Sequence, residues 1–254
     1  MTEPKATRAG QDLTVKGEAI QRIYGNYLAW RYIVNRRYQR KLVWTLEEKR
    51  RFIDSVISGY PVPIVLLAER KAESQNFFEI IDGMQRLNAI FGFIENEYDV
   101  GEAYFDLNTM AETKALMDEG KLKQREPMLP REVCVQVAAY TMPLSIYEFA
   151  NAGDVDEVFR RINSGGRKLS RQELRIAGAT GHFAQAVRLI ASKARRDVSA
   201  SDELPLNEMK KISITNKDLP YGIDVDEIFW IKQGVLTKEQ VRESRDEELV
   251  ADIL

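Results

Sequence analysis

The sequence is poor in the residues that much metal and redox chemistry needs: 254 residues hold one cysteine, Cys134, and one histidine, His182. A single cysteine excludes an internal disulfide. With so few such side chains there is no zinc site of the usual Cys/His type, no Ser-His-Asp set and no His-based nuclease motif in this chain. Cys134 lies in the alternating run REVCVQV and reads as a small buried hydrophobe, while His182, in GATGHFAQAV where a helix breaks or begins, reads as filler. Long apolar runs are missing too. Nothing approaches the roughly 18 apolar residues of a membrane span, and Met1 to Asp12 lacks the apolar stretch of a signal peptide, so a soluble cytoplasmic protein with no membrane partner is expected. Neither sign of charge dominates, with 37 Lys and Arg against 39 Asp and Glu and a net charge of -2, so overall charge announces no nucleic-acid partner.

What is present is a chain that is 44% hydrophobic, enough for the core of one large domain or two small ones. Its charge is unevenly spread. Arg31 to Arg51 carries six arginines and two lysines against Glu47 and Glu48, interleaved with Tyr32, Tyr38 and Trp44 and preceded by Trp30. That mixture can meet phosphates and stack on bases, and it can equally be a solvated, salt-bridged face. The C-terminal stretch KEQVRESRDEELVADIL is mostly acidic, and its ending reads as a helix cut in mid-pattern, as in a fragment of a longer protein.

Periodicity gives a coarse order of elements. Ile20, Ile23, Tyr24 and Tyr27 fall at helical spacing, and LAWRYIVNRRYQR then reads as extended. Thr45 and Glu48 form a capping box ahead of the apolar stripe Phe52, Ile53, Val56 and Ile57, with Gly59 and Pro61 ending that helix. PIVLLAE and Phe77 to Ile81 make a hairpin, followed at once by a helix bearing Leu87, Ile90, Phe91 and Ile94. A charged, irregular stretch over about 102–130, with a helix around Ala111 to Met117, reads as an insertion or flap. Val133, Val135 and Val137 alternate as a strand would, as do Leu144 and Ile146. Beyond Asn151 the pattern turns helical: capping boxes at Asp154/Glu157 and Ser170/Glu173, then Phe183, Val187 and Ile190 as a further apolar stripe, and a turn at Pro220 to Gly222 among more helices. Short strands separated by helices, then helices alone, imply an α+β fold. The division expected is a sheet-bearing region over 1–150 and a mainly helical one over 151–254.

Three stretches can carry chemistry. In IIDGMQRLNAIFGF a strand hands over to a helix through Asp82, Gly83, Gln85 and Arg86. A helix start offers unpaired N–H groups to an anion; Gly83 allows close approach or an unusual dihedral, Arg86 can fork onto phosphate, and Gln85 can bond a base, a sugar or water. Asp82 would then orient water or hold Mg²⁺; the plainer reading makes Asp82 an N-cap and pairs Arg86 with a surface acid. NRRYQRKLVW places Arg36, Arg37, Gln39, Arg40 and Lys41 around Tyr38 and Trp44. FRRINSGGRKLSRQELR sets Arg160, Arg161 and Asn163 before a Ser-Gly-Gly turn with Gly165, Gly166 and Arg167, which is either a second phosphate-competent helix start or a helix-helix connection.

Taken in order, these stretches, with SGYPVPIVL and the later ISITN, resemble the GmrSD-type restriction family, whose N-terminal domain carries a hallmark Asp-Gly-Gln-Gln-Arg motif. The resemblance implies a ParB/sulfiredoxin-like fold with a small mixed sheet. It also implies a domain that binds and hydrolyses nucleoside triphosphate, with Mg²⁺, and couples this to recognition of modified or phage DNA. A C-terminal or separate nuclease domain would cut that DNA. Carried onto this sequence, Asp82 and Arg86 are the expected catalytic residues, with Asp82 as a metal ligand. Asp82, Gly83, Gln85 and Arg86 match the hallmark motif, and Tyr38, Gln39 and Arg40 match a segment that helps form the same pocket or a DNA-sensing surface. Together with the residue chemistry above, Asp82, Gly83, Gln85, Arg86, Gln39, Arg40, Arg160 and Asn163 are the expected nucleotide contacts, and Arg36, Arg37, Tyr38 and Lys41 the DNA contacts. Met84 departs from the motif, where the family has its first glutamine, which bears on hydrolysis more than on binding. Two other readings stay open: a DNA-binding or ParB-like nuclease module without NTP turnover, and a regulatory domain that has lost activity.

Overall fold

The computed structural model describes residues 13–36, 41–72, 75–148, 181–197, 202–214, 219 and 222–254. Its centre is one mixed sheet of six strands in the order β1-β5-β3-β4-β2-β6. These are β1 (Leu13–Ala19), β2 (Tyr32–Asn35), β3 (Val65–Arg70), β4 (Phe77–Asp82), β5 (Thr141–Glu148) and β6 (Glu203–Pro205). β3 and β4 pair antiparallel, as expected of the hairpin, and β3 is parallel to β5 while β4 is parallel to β2. The outer pairs, β1 with β5 and β2 with β6, are antiparallel. β1 and β6 are additions to the expected order: LTVKGEA alternates but is mostly exposed, and ELP is only three residues long.

The helices before the sheet's fifth strand are α1 (Ile20–Leu28), α2 (Leu46–Ile57), α3 (Met84–Ile94), α4 (Ala111–Asp118) and α5 (Arg131–Ala139). The capping box of α2 is present on both sides: Glu48 N–H donates to Thr45 Oγ1 at 3.1 Å and Thr45 N–H to Glu48 Oε2 at 2.8 Å. α3 lies in the core, with Leu87, Ile90, Phe91, Phe93 and Ile94 all buried. Tyr24 and Tyr27 of α1 pack on Phe91, their ring centres 5.8 and 4.2 Å away. Phe105 and Met110, within the irregular stretch, join the same core, and Leu107 is buried beside them in sequence.

One expected strand is a helix. Val133, Val135 and Val137 lie on α5, where Cys134, Val137 and Ala138 face the core and Val135 is exposed. The intervening Cys134 is itself apolar, so the run satisfies a period near 3.6 as well as one of 2, and Pro130 at the N-cap suits a helix start.

The later region forms α6 (His182–Ala194), α7 (Phe229–Lys232), α8 (Lys238–Arg242) and α9 (Arg245–Ile253). On α6 the buried stripe is Ala184, Val187 and Ala191, packed with Val250 of α9, while Phe183 and Ile190 are exposed, which shifts the expected stripe by one position. The capping boxes at Asp154/Glu157 and Ser170/Glu173, and the turn residues Pro220 and Tyr221, lie outside the described residues. No helix among the described residues is long and apolar enough to cross a membrane.

Candidate functional site at the start of α3

The handover from β4 to α3 is built by a bulge and a glycine. Leu66 faces Asp82 and Leu67 faces Ile80, so the register shifts between them, and such a shift re-aims the residues at a strand end. Asp82 closes the strand and stays accessible, its side chain 51% exposed. Gly83 is the N-cap, with φ of 106°. The capping role that sequence allowed Asp82 therefore belongs to the glycine's backbone, since a residue with a Cβ rarely adopts that dihedral. Met84 turns inward to the main core at 5% exposure, so the position that departs from the hallmark motif is filled as a core position.

The next residues divide the chemistry. Arg86 is buried and its Nη2 donates to Asp82 Oδ2 at 2.6 Å, one helical turn back. The acid that Arg86 pairs with is thus its own motif partner. The carboxylate keeps its second oxygen for another group, and the guanidinium keeps further N–H donors. The main-chain N–H groups of Met84, Gln85 and Arg86 precede the first intrahelical bond, Leu87 N–H to Gly83 O at 2.9 Å, and this is where a helix is electropositive. Asn88 lies on the same side of α3 as Gln85 at i+3, is 1% exposed, and its side-chain carbonyl has no hydrogen-bond partner. An orphaned buried acceptor so close to the helix start was not foreseen, because Asn88 carries no motif signal of its own.

Gln85 is bound to chain rather than left open. Val43 and Trp44 N–H donate to its Oε1 at 3.1 and 3.2 Å, and its Nε2 donates to Lys41 O at 3.1 Å. These contacts join the two motif stretches across more than forty residues of sequence, which no local pattern could reveal.

Two residues expected to face DNA lie inside the structure instead. Arg36 is buried and ion-paired with Asp197; burial pushes its guanidinium below the ordinary arginine value, and Asp197 opposes that shift. Lys41 is 6% exposed, and its Nζ donates to Val241 O at 2.6 Å and to Ser244 Oγ at 3.1 Å, with Asp246 at 3.9 Å. Desolvated cations need such partners, and having them they are not presented to phosphates in solution. Arg37, Tyr38, Gln39 and Arg40 lie outside the described residues, as do Arg160 and Asn163 with the Ser-Gly-Gly turn.

A Mg²⁺ ion held jointly with phosphates asks for one or two carboxylates, and Asp82 with one oxygen unengaged fits that requirement. Among the described residues there is no cluster of three or more His, Cys, Asp or Glu side chains able to hold a metal by themselves.

A family model described as GmrSD restriction endonuclease, N-terminal domain, matches residues 20–177, a span that contains the hairpin, the Asp82 turn, α3 and the Arg160 stretch. No curated protein is similar enough to count as a relative. With well over half of its length matched, the chain belongs to the GmrSD restriction endonuclease family, as an N-terminal domain of that kind.

Proposed function

We propose that this chain is the nucleotide-handling sensor of a phage-defence restriction protein, binding a nucleoside triphosphate at the start of α3 and coupling it to DNA recognition. The observation that carries the reading is the Asp82–Arg86 pair, one turn apart across Gly83, beside unpaired helix-start amides. The terminal phosphates accept from those N–H groups, where the helix dipole favours negative charge. Arg86, already oriented by Asp82, turns its remaining donors onto phosphate oxygens. The second oxygen of Asp82 holds a water for attack or a Mg²⁺, which when bound offsets the phosphate charge. The orphaned Asn88 carbonyl needs a donor, which a nucleoside hydroxyl or amine supplies and a phosphate oxygen does not.

Gln39, Arg40, Arg160 and Asn163 are assigned to the same nucleotide through the family motif. With Arg36 and Lys41 committed to the interior, Arg37 and Tyr38 are the residues we assign to DNA, and a nuclease domain of the same system makes the cut. Such a protein works in the cytoplasm, where phage DNA arrives. The test is NTP hydrolysis with and without DNA: wild type turns nucleotide over with a DNA-dependent rate and Arg86→Ala does not. Equal inertness of both, with no nucleotide bound by either, overturns the reading.

A further inference from the structure

Among the described motif residues, Gln85 touches a second part of the chain through three hydrogen bonds. Its carbonyl takes both Val43 and Trp44 N–H groups, and its amide returns a bond to Lys41 O. Both of those backbone N–H groups lie just before α2, whose N-cap is Thr45, so they have no helical partner of their own. The same short segment is fastened twice more. Ile214 N–H donates to Leu42 O at 2.9 Å, and the Lys41 ammonium reaches the turn between α8 and α9 at Val241 and Ser244.

We infer that Gln85 is a positioning residue: its amide fastens the backbone of Lys41 to Trp44 onto the first turn of α3 and so holds the nucleotide site against that backbone. The inference rests on the nucleotide reading of the Asp82 turn, and it changes what the glutamine of the motif does there. Here the carbonyl is occupied by two chain donors and one amide N–H by Lys41 O, so most of the side chain's bonding capacity goes to the chain. Lys41 extends the arrangement, since one residue carries both the Gln85 bond, through its carbonyl, and the contact with the C-terminal helices, through its ammonium. Binding at the α3 start is thereby mechanically tied to α8 and α9.

Two substitutions separate fastening from direct contact. Gln85→Glu keeps the double acceptor for Val43 and Trp44 but loses the donor to Lys41 O and adds a negative charge; Gln85→Leu keeps the bulk and removes every bond. Hydrogen exchange at the Val43 and Trp44 amides reads the fastening without any ligand, and nucleotide binding is measured in parallel by calorimetry with ATP and GTP. The expected result is exchange at those two amides about tenfold faster or more in Gln85→Leu and less accelerated in Gln85→Glu, with nucleotide affinity down about tenfold in Gln85→Leu. Protected amides in Gln85→Leu overturn the inference, and so does an unchanged nucleotide affinity in Gln85→Leu when its amides exchange faster, because the fastening then does not set the nucleotide site. If wild type binds neither nucleotide, the nucleotide reading fails by itself and the exchange rates alone decide the fastening.

Discussion

Gly83 and Val65 approach so closely that a Cβ on residue 83 would stand 2.9 Å from Val65 Cγ2 and 3.0 Å from its Cγ1. The glycine is thus required twice, by its φ of 106° and by the valine of the neighbouring strand. Val65 is fully buried in the core and has little room to yield.

Gly83→Ala combines a strained dihedral with overpacking, and the expected loss of stability is about 2–4 kcal/mol. The urea midpoint of the purified variant checks this, and an unchanged midpoint contradicts the account of the turn. Nucleotide affinity should fall with it, because the α3 start would have to shift.

Lys49 of α2 is fully buried, with its ammonium 5.8 Å from the centre of the Tyr98 ring. Burial lowers its pKa from 10.5 to about 8, with Glu97 opposing the shift and Lys210 adding to it. Below pH 8 both folded and unfolded states are protonated, and the folded state carries the buried charge. Between pH 8 and the unfolded value the unfolded state holds more protons, so stability rises with pH across that window. Lys49→Met is expected to be more stable than wild type at pH 7 and to lose that rise, as read from urea midpoints between pH 7 and 10. A methionine variant less stable at pH 7 would mean that the interactions around the ammonium outweigh its desolvation.

Lys41 offers a direct contrast between a structural and a DNA-binding lysine. Removing its ammonium takes one donor from Val241 O, which keeps the Ser244 N–H, and one from Ser244 Oγ, while Asp246 retains its ion pair with Arg195. Lys41→Met should therefore lose about 1–3 kcal/mol of stability. The salt dependence of DNA binding, measured on the folded variant, should keep the wild-type slope, since no phosphate contact is lost. A slope smaller by about one unit would instead put Lys41 on the DNA.

Local chemistry made part of this fold legible and distance hid the rest. The α2 capping box, the β3–β4 hairpin and the apolar face of α3 are all written within a few residues of one another, and each appears where its pattern places it. α5 failed because a short run with Cys134 among its valines fits two periods, and only packing chooses between them. Arg36 and Lys41 looked like solvated charges because their acids, Asp197 and Asp246, come more than 150 residues later. At the site itself, the motif pointed to Asp82, Gly83 and Arg86 together. The partners of Gln85 are backbone groups, which every residue possesses, so nothing in sequence marks them.

The central claim is that the Asp82–Arg86 turn holds the phosphates of a nucleotide. It is tested most directly by equilibrium binding of ATP and GTP, with Mg²⁺ present, to wild type, Arg86→Ala and Asp82→Asn, each confirmed folded by circular dichroism. Wild type should bind at least one of the two; Arg86→Ala should bind it at least about tenfold more weakly, through loss of a charge-assisted contact. Asp82→Asn should bind with a reduced Mg²⁺ dependence. Affinity in Arg86→Ala equal to that of wild type would contradict the account.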